Sequence, residues 1–410
     1  MRIAIFADSK FRDTVPCVLL EKRLGEILPQ AETRIFPFDL WNEVLTLFKP
    51  DVSVMNHVIG QRNLEIVRRS RFTVVVPTEG RPNTYEQEAW YVEKQDGVAD
   101  LFLSWSDRLT EMFQETKAVT VGNIRFDLYY DHSDLINTRL VSRAKYGIPE
   151  DEAVIGVFTS FPQAKFSKRN VAFNNSDWKD LGLDKLDSMG NPLDYAKRET
   201  EERDKFLRYV SVIKELAGAH LLVKPHPMED VLELQKWCYE NGATFVSQDI
   251  IPNAIAACDF IVNRHGCMTT ADALLMGKSV FEIGSTGSEG MAFINKKTLA
   301  DLNAVVSTFG DHESVDYSNA LSPSEDLGEK YIASCGGLGG GAADLAAKAI
   351  AAEVKKLPDT SESVNQRDIL ELDKLVVAHA ARHVVPHPLA VPVGKQVTAG
   401  YVNSWRRKFD

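Results

Sequence analysis

Lys224-Pro225-His226-Pro227 sets a cation and an imidazole among prolines, directly after the apolar run 221–223. The prolines stop the strand and restrict the backbone on both sides of His226, which aims the ring outward from a strand's carboxyl end. In an open parallel sheet that end is where ligands bind. Asn263-Arg264-His265-Gly266 repeats the situation after the apolar run 260–262. Gly266 permits a tight turn and close backbone approach. The helix that follows opens near Met268-Thr269-Thr270. Free N–H groups of a first helical turn attract an anion. Gly277 caps that helix, and a short strand carries Glu282 to its end, where a carboxylate can accept both hydroxyls of a ribose. Lys224, His226, Pro227, Arg264, His265, Gly266, Met268, Thr269, Thr270 and Glu282 are therefore the candidate site for a phosphate-bearing nucleotide. The plain alternatives are a turn with an incidental histidine and an ordinary strand–loop–helix capped by Thr269.

Three acids are candidates for the chemical step. Glu79 follows the strand 72–77 in Thr78-Glu79-Gly80, where it can serve as base or nucleophile, or cap the next helix. Asp127 ends Gly122-Asn123-Ile124-Arg125-Phe126-Asp127, where pairing with Arg125 is the competing role. Asp230 lies just past the His-Pro turn. Metal chemistry is poorly served: no Asp-x-Asp occurs, and His379, His383 and His387 read as an exposed helix face and its continuation rather than a zinc site. No cofactor is expected. Serine-hydrolase and Walker signatures are absent.

Alternating strands and helices must position these residues. Strands are expected at 2–7, 52–55, 72–77, 101–104 and 118–121, with helical periodicity at 17–28, 41–48, 63–70 and 107–115. A helix over 135–146 stops at Gly147 with Pro149 beyond it. A second series starts at 153–159 and runs through 204–216, 221–224, 231–240, 244–246, 255–257, 260–263, 269–276 and 279–283. This pattern predicts parallel, doubly wound sheets. The boundaries expected are 1–148 for an N-terminal Rossmann-like, acceptor-side domain and 149–355 for a nucleotide-sugar domain. A polar insertion at 162–203 reads as a long loop, and 356–410 as a tail packing back on the domains. The glycine run 336–341 reads as a flexible joint before an Ala-rich helix, more than as a phosphate cradle.

The 410 residues suit two domains. Hydrophobic residues make up 44% and charged residues 26%, an ordinary globular balance. A net charge of −11 disfavours nucleic acid as a partner, while a local basic pocket for a small anion remains compatible. Five cysteines without Cys-x-x-Cys spacing point to reduced thiols. With no signal-peptide pattern and no apolar run long enough to span a bilayer, a cytoplasmic location is expected, with peripheral contact at the inner membrane left open.

Four stretches carry a family resemblance: Thr78-Glu79-Gly80, the segment from Gly122 to Asp127, Lys224-Pro225-His226-Pro227, and Asp259 through Glu282. In that order, they resemble bacterial surface-carbohydrate biosynthesis proteins, glycosyltransferases of the two-Rossmann-domain GT-B type with a cleft between the domains. Within that group they look most like the lipopolysaccharide and capsule enzymes that include the retaining β-Kdo transferases. The resemblance implies that His226 and the 266–270 turn hold the donor phosphate and Glu282 the nucleoside. It also implies a nucleotide-sugar donor, with CMP-Kdo favoured, and a lipid-linked oligosaccharide acceptor. A UDP-sugar 2-epimerase and a non-catalytic assembly subunit share the fold and are the rival readings.

Overall fold

The computed structural model describes residues 1–78, 85–162, 164, 191–226, 229, 231–264, 267–283, 292–293, 329, 332–358, 364–382 and 397–409. The chain divides into two compact units, Met1–Leu135 with Ala333–Asp410, and Ile136–Ile332. Each is α/β with a six-stranded, Rossmann-like sheet, the architecture expected from the sequence. The division differs from the expected boundaries in two places. The segment 136–148 belongs with the second unit. The Ala-rich helix near 342–355, expected there, belongs with the first.

In the first unit the strands are β1 (Arg2–Ala7), β2 (Glu32–Pro37), β3 (Val52–Met55), β4 (Phe72–Val75), β5 (Leu101–Ser104) and β6 (Lys117–Thr120). They lie in the order β2-β1-β3-β4-β5-β6, and every pairing is parallel. The central strands are buried along nearly their whole length, as a parallel sheet covered on both faces requires. That is why they read as continuous apolar runs. β2 was not legible, because it is an edge strand with an exposed, polar first half. The helices of the first unit include α1 (Thr14–Ile27), α2 (Gln61–Arg69) and α3 (Tyr85–Glu93). The second unit has α4 (Arg139–Tyr146), α5 (Pro192–Ala217), α6 (Val231–Glu240), α7 (Ile251–Ala256) and α8 (Thr269–Leu275). The chain returns to the first unit with α9 (Ala342–Val354), α10 (Gln366–Arg382) and α11 (Ala399–Phe409). α9 and α11 pack on α1.

The second sheet contains β7 (Val154–Phe158), β8 (His220–Lys224), β9 (Thr244–Phe245), β10 (Phe260–Arg264), β11 (Ser279–Ile283) and β12 (Ala292–Phe293). Its order is β12-β11-β10-β7-β8-β9, parallel except for the antiparallel β12. The order reverses between β7 and β10. In the first sheet the reversal falls between β1 and β3.

α5 corrects the reading of 162–203 as a long loop. The helix begins at Pro192, with the Asn191 side chain accepting from Leu193 N at 2.8 Å and proline in the first turn, both strong start signals. Its inward face carries Ala196, Glu199, Arg203, Phe206, Val210 and Ile213, all buried. The charged Glu199 and Arg203 on that face break the apolar stripe, so periodicity revealed only the second half. The expected helix 135–146 is shorter, starting at Arg139 behind the Thr138 cap. The residues 255–257 of the alternating series are the end of α7 and the turn after it.

Candidate functional site

At the carboxyl edge of the second sheet, Lys224, Phe158 and Asn263 stand in register across β8, β7 and β10. Their exit loops therefore leave side by side. The His-Pro turn after β8 is closed by Glu229, whose carboxylate accepts from His226 N at 2.8 Å while Glu229 N donates to His226 O at 3.0 Å. Glu229 also accepts from Phe161 N at 2.9 Å and from the Thr159 hydroxyl, so one buried carboxylate ties the exit of β7 to the exit of β8. Burial pushes its pKa up, against the hydrogen bonds from Thr159, His226 and Phe161. The sequence reading missed Glu229. Its signal was an acid three residues after His226, the reach of a turn-closing carboxylate.

Lys224 is buried, and desolvation lowers its pKa to about 8, only partly opposed by Asp249. His226 is half-buried at the turn. Arg264, at the end of β10, donates to Ser160 O at 2.7 Å and pairs with Glu199 and Glu202 of α5, both at 2.6 Å. Its guanidinium lies 4.4 Å from the centre of the Phe161 ring. Burial disfavours the charge, but Glu199 and Glu202 outweigh it and raise the pKa. Arg264 thus clamps the exit of β7 from the side opposite Glu229, with its charge already balanced by protein carboxylates.

α8 starts as expected, but its first turn is largely self-satisfied: Thr270 N bonds to Cys267 O at 3.0 Å and Ala271 N to Met268 O at 3.0 Å. Met268, Thr269 and Thr270 are buried, and Thr270 Oγ1 lies 3.2 Å from the amide of the buried Asn263. These residues join β10 to α8. Glu79, Pro227, Asp230, His265 and Gly266 lie outside the described residues, as does the side chain of Glu282, whose backbone is in β11. His383 and His387 lie outside them too, and among the described residues no group of His, Cys, Asp or Glu has metal-site geometry. No described helix is long and apolar enough to cross a membrane.

In the first unit, the carboxyl edge is organised by Asp13, which the sequence reading did not single out. Asp13 is fully buried and accepts from Asp8 N at 3.1 Å and Ser9 N at 2.8 Å, after β1. It accepts from Asn56 Nδ2 at 2.9 Å, after β3, and from Thr78 Oγ1 at 2.7 Å, after β4. Arg12 pairs with it at 2.5 Å. Its only sequence signal was an acid in the first strand-to-helix connection.

Asp127 does not pair with Arg125. Its two oxygens accept from Ala342 N at 2.9 Å and Ala343 N at 2.7 Å, and Asp131 accepts from Gly341 N at 2.8 Å. The N-terminus of α9 is therefore neutralised by the protein's own carboxylates. A Cβ on Gly340, which has φ +92°, would meet Asp131 Oδ1 at 2.6 Å, so the glycine run serves this close approach. Arg125 lies against the Phe126 ring instead. Burial raises the Asp127 pKa to about 6, against the two backbone N–H groups.

No known protein family matches the sequence, and no curated protein does. Among solved structures, the chain is similar to UDP-GlcNAc 2-epimerase from Methanocaldococcus jannaschii in complex with UDP-GlcNAc and UDP. The identity is 10%, covering 85% of this chain and 99% of that one, with TM-score 0.47. It is similar to the wall teichoic acid polymerase TagF at 12% identity over 87% of this chain and 89% of that one, TM-score 0.45. It is also similar to Acinetobacter baumannii MurG at 10% identity over 87% and 99%, TM-score 0.30.

Proposed function

We propose that the chain is a glycosyltransferase that takes a sugar from a nucleotide-activated donor, held at the carboxyl edge of the second sheet. The observation that carries this reading is the His226 turn, pinned by Glu229 to the exit of β7 beside the topological switch point. A carboxylate-tied turn that carries an imidazole two residues after a buried lysine suits the leaving phosphate of a nucleotide sugar. Because Arg264 is neutralised by Glu199 and Glu202, Lys224 and His226 take the phosphate in this reading, and Arg264 holds the loop beneath it. CMP-Kdo is the donor proposed, with a lipid-linked surface polysaccharide as acceptor. Glu79 and then Asp230 are the proposed catalytic carboxylates. Asp127 is assigned to the α9 cap.

A thermal-shift panel of CMP, UDP, GDP and CDP comes first, since selective binding raises apparent stability by mass action. A cytidine or uridine nucleotide is expected to bind without added metal. His226→Ala should weaken donor use about 10- to 100-fold, the loss of a hydrogen bond to a charged group. Binding should also weaken as pH rises through about 8, where Lys224 sheds its proton. Unchanged kcat/KM in His226→Ala removes this site from the reaction. Release of an epimerised sugar from a UDP-sugar without acceptor replaces the transferase reading with the epimerase.

A further inference from the structure

The connection between β1 and α1 carries Lys10 and Phe11 at the carboxyl end of β1. Asp13 builds this loop. Its N–H donates to Ser9 O at 2.9 Å, and its carboxylate accepts from Asp8 N at 3.1 Å and Ser9 N at 2.8 Å. Ser9 and Asp13 are fully buried, so the chain is pinned on both sides of Lys10 and Phe11.

The C-terminal helix α11 supplies a second wall. It packs on α1 with Val402 and Trp405 buried, and Arg406 Nε donates to Glu21 Oε2 at 2.7 Å. Tyr401 of this helix meets Phe11 edge to face, with ring centres 5.8 Å apart and planes at 81°. The Lys10 ammonium lies 5.0 Å from the centre of each ring.

Lys10 is half-buried, and among the described residues it has no carboxylate partner. The acids near it in sequence are answered by Arg12, which pairs with Asp13 at 2.5 Å and with Asp8 at 3.6 Å. Burial alone lowers the Lys10 pKa. Aromatic faces hold an ammonium without neutralising it, so the charge stays open to an anion. Partial removal from water strengthens the pair such an anion would form.

We propose that Lys10, held between Phe11 and Tyr401, binds the carboxylate of an acidic sugar in the acceptor glycan. A single ammonium is a point charge that answers one anionic group. A phosphate cluster calls for forked guanidinium groups, and the guanidinium of this loop is already engaged by Asp8 and Asp13. The two rings give the apolar face of a sugar a surface beside the charge. Assignment to an acceptor rests on the transferase reading, whereas the carboxylate site rests on the first unit alone.

Calorimetric titration of the full chain with tri-galacturonic acid, with its methyl ester and with inorganic phosphate tests this. The acid should bind, and the ester, the same body without the charge, should bind at least about tenfold more weakly, as the loss of a hydrogen bond to a charged group predicts. This arm uses the unaltered chain, so folding does not enter it. Lys10→Met keeps the apolar stem and should lose at least about tenfold for the acid, and Lys10→Arg should retain most of the affinity. Tyr401→Leu should weaken the acid too, because the ammonium loses one wall. The proposal is overturned if the acid does not bind, if the ester binds as well as the acid, if phosphate alone binds, or if Lys10→Met or Tyr401→Leu binds like the parent chain. If no nucleotide binds the chain, the transferase reading falls, while Lys10-dependent binding of the acid still supports the carboxylate site.

Discussion

The two sheets reverse their strand order at corresponding places and fill those places with opposite charge. Between β1 and β3 sits a buried anion, Asp13, with donors from three strand exits and the Arg12 guanidinium around it. Between β7 and β10 sits a cation, Arg264, with carboxylates from α5 around it. The first arrangement fills the switch point with the protein's own carboxylate, already paired with Arg12 and bonded to the strand exits. The second leaves Lys224 and His226 next to a loop clamped on both sides. Topology sets where a ligand can bind, and the residues placed there decide whether one does.

Asp13→Ala should do the most damage. It removes a buried carboxylate that a part-buried arginine, a buried amide and a buried hydroxyl share, and breaking a buried ion pair costs about 3–5 kcal/mol. Urea denaturation measures it, and a loss under about 1 kcal/mol would mean that Asp13 is no hub. Arg264→Met should cost less, about 2–3 kcal/mol, because only Glu199 of its two partners is deeply buried. If the two variants are equally unstable, the contrast between a closed edge and a merely balanced one fails.

Asp127 extends the contrast to pH. Its folded pKa of about 6 lies above the ordinary 3.8, so between those values the folded chain holds a proton that the unfolded chain has released. Its contribution is present at low pH and is lost as pH rises through that window, by about 1–3 kcal/mol. Asp127→Asn should flatten this part of the profile, read from urea midpoints on either side of it, and an unchanged slope would place the titrating group elsewhere. Glu229→Gln should have the smallest effect on stability, about 1 kcal/mol, since an amide oxygen retains part of the acceptor set and the buried charge is relieved. It should nonetheless loosen the His226 turn. Donor affinity that falls while the melting temperature barely moves would mark Glu229 as a positioning residue, and unaltered affinity would leave it purely structural.

Much of the scaffold was legible because buried parallel strands must be apolar throughout. β1, β3, β5 and β11 were located to the residue by that signature alone. Proline and glycine marked the His226 turn and the end of α4 at Gly147, because both residues restrict or free the backbone locally. β2 escaped because only half of an edge strand is buried, and the first half of α5 because its inward face carries Glu199 and Arg203. The partners of charged groups were not legible either. Arg125 and Asp127 are neighbours in sequence, yet Asp127 caps a helix that begins more than 200 residues later. Glu229, Asp13 and the two carboxylates on Arg264 belong to the same class. Local sequence determines strand, turn and helix through backbone preference and burial pattern. Which acid meets which cation is decided by contacts between distant segments, and only the folded chain brings those together.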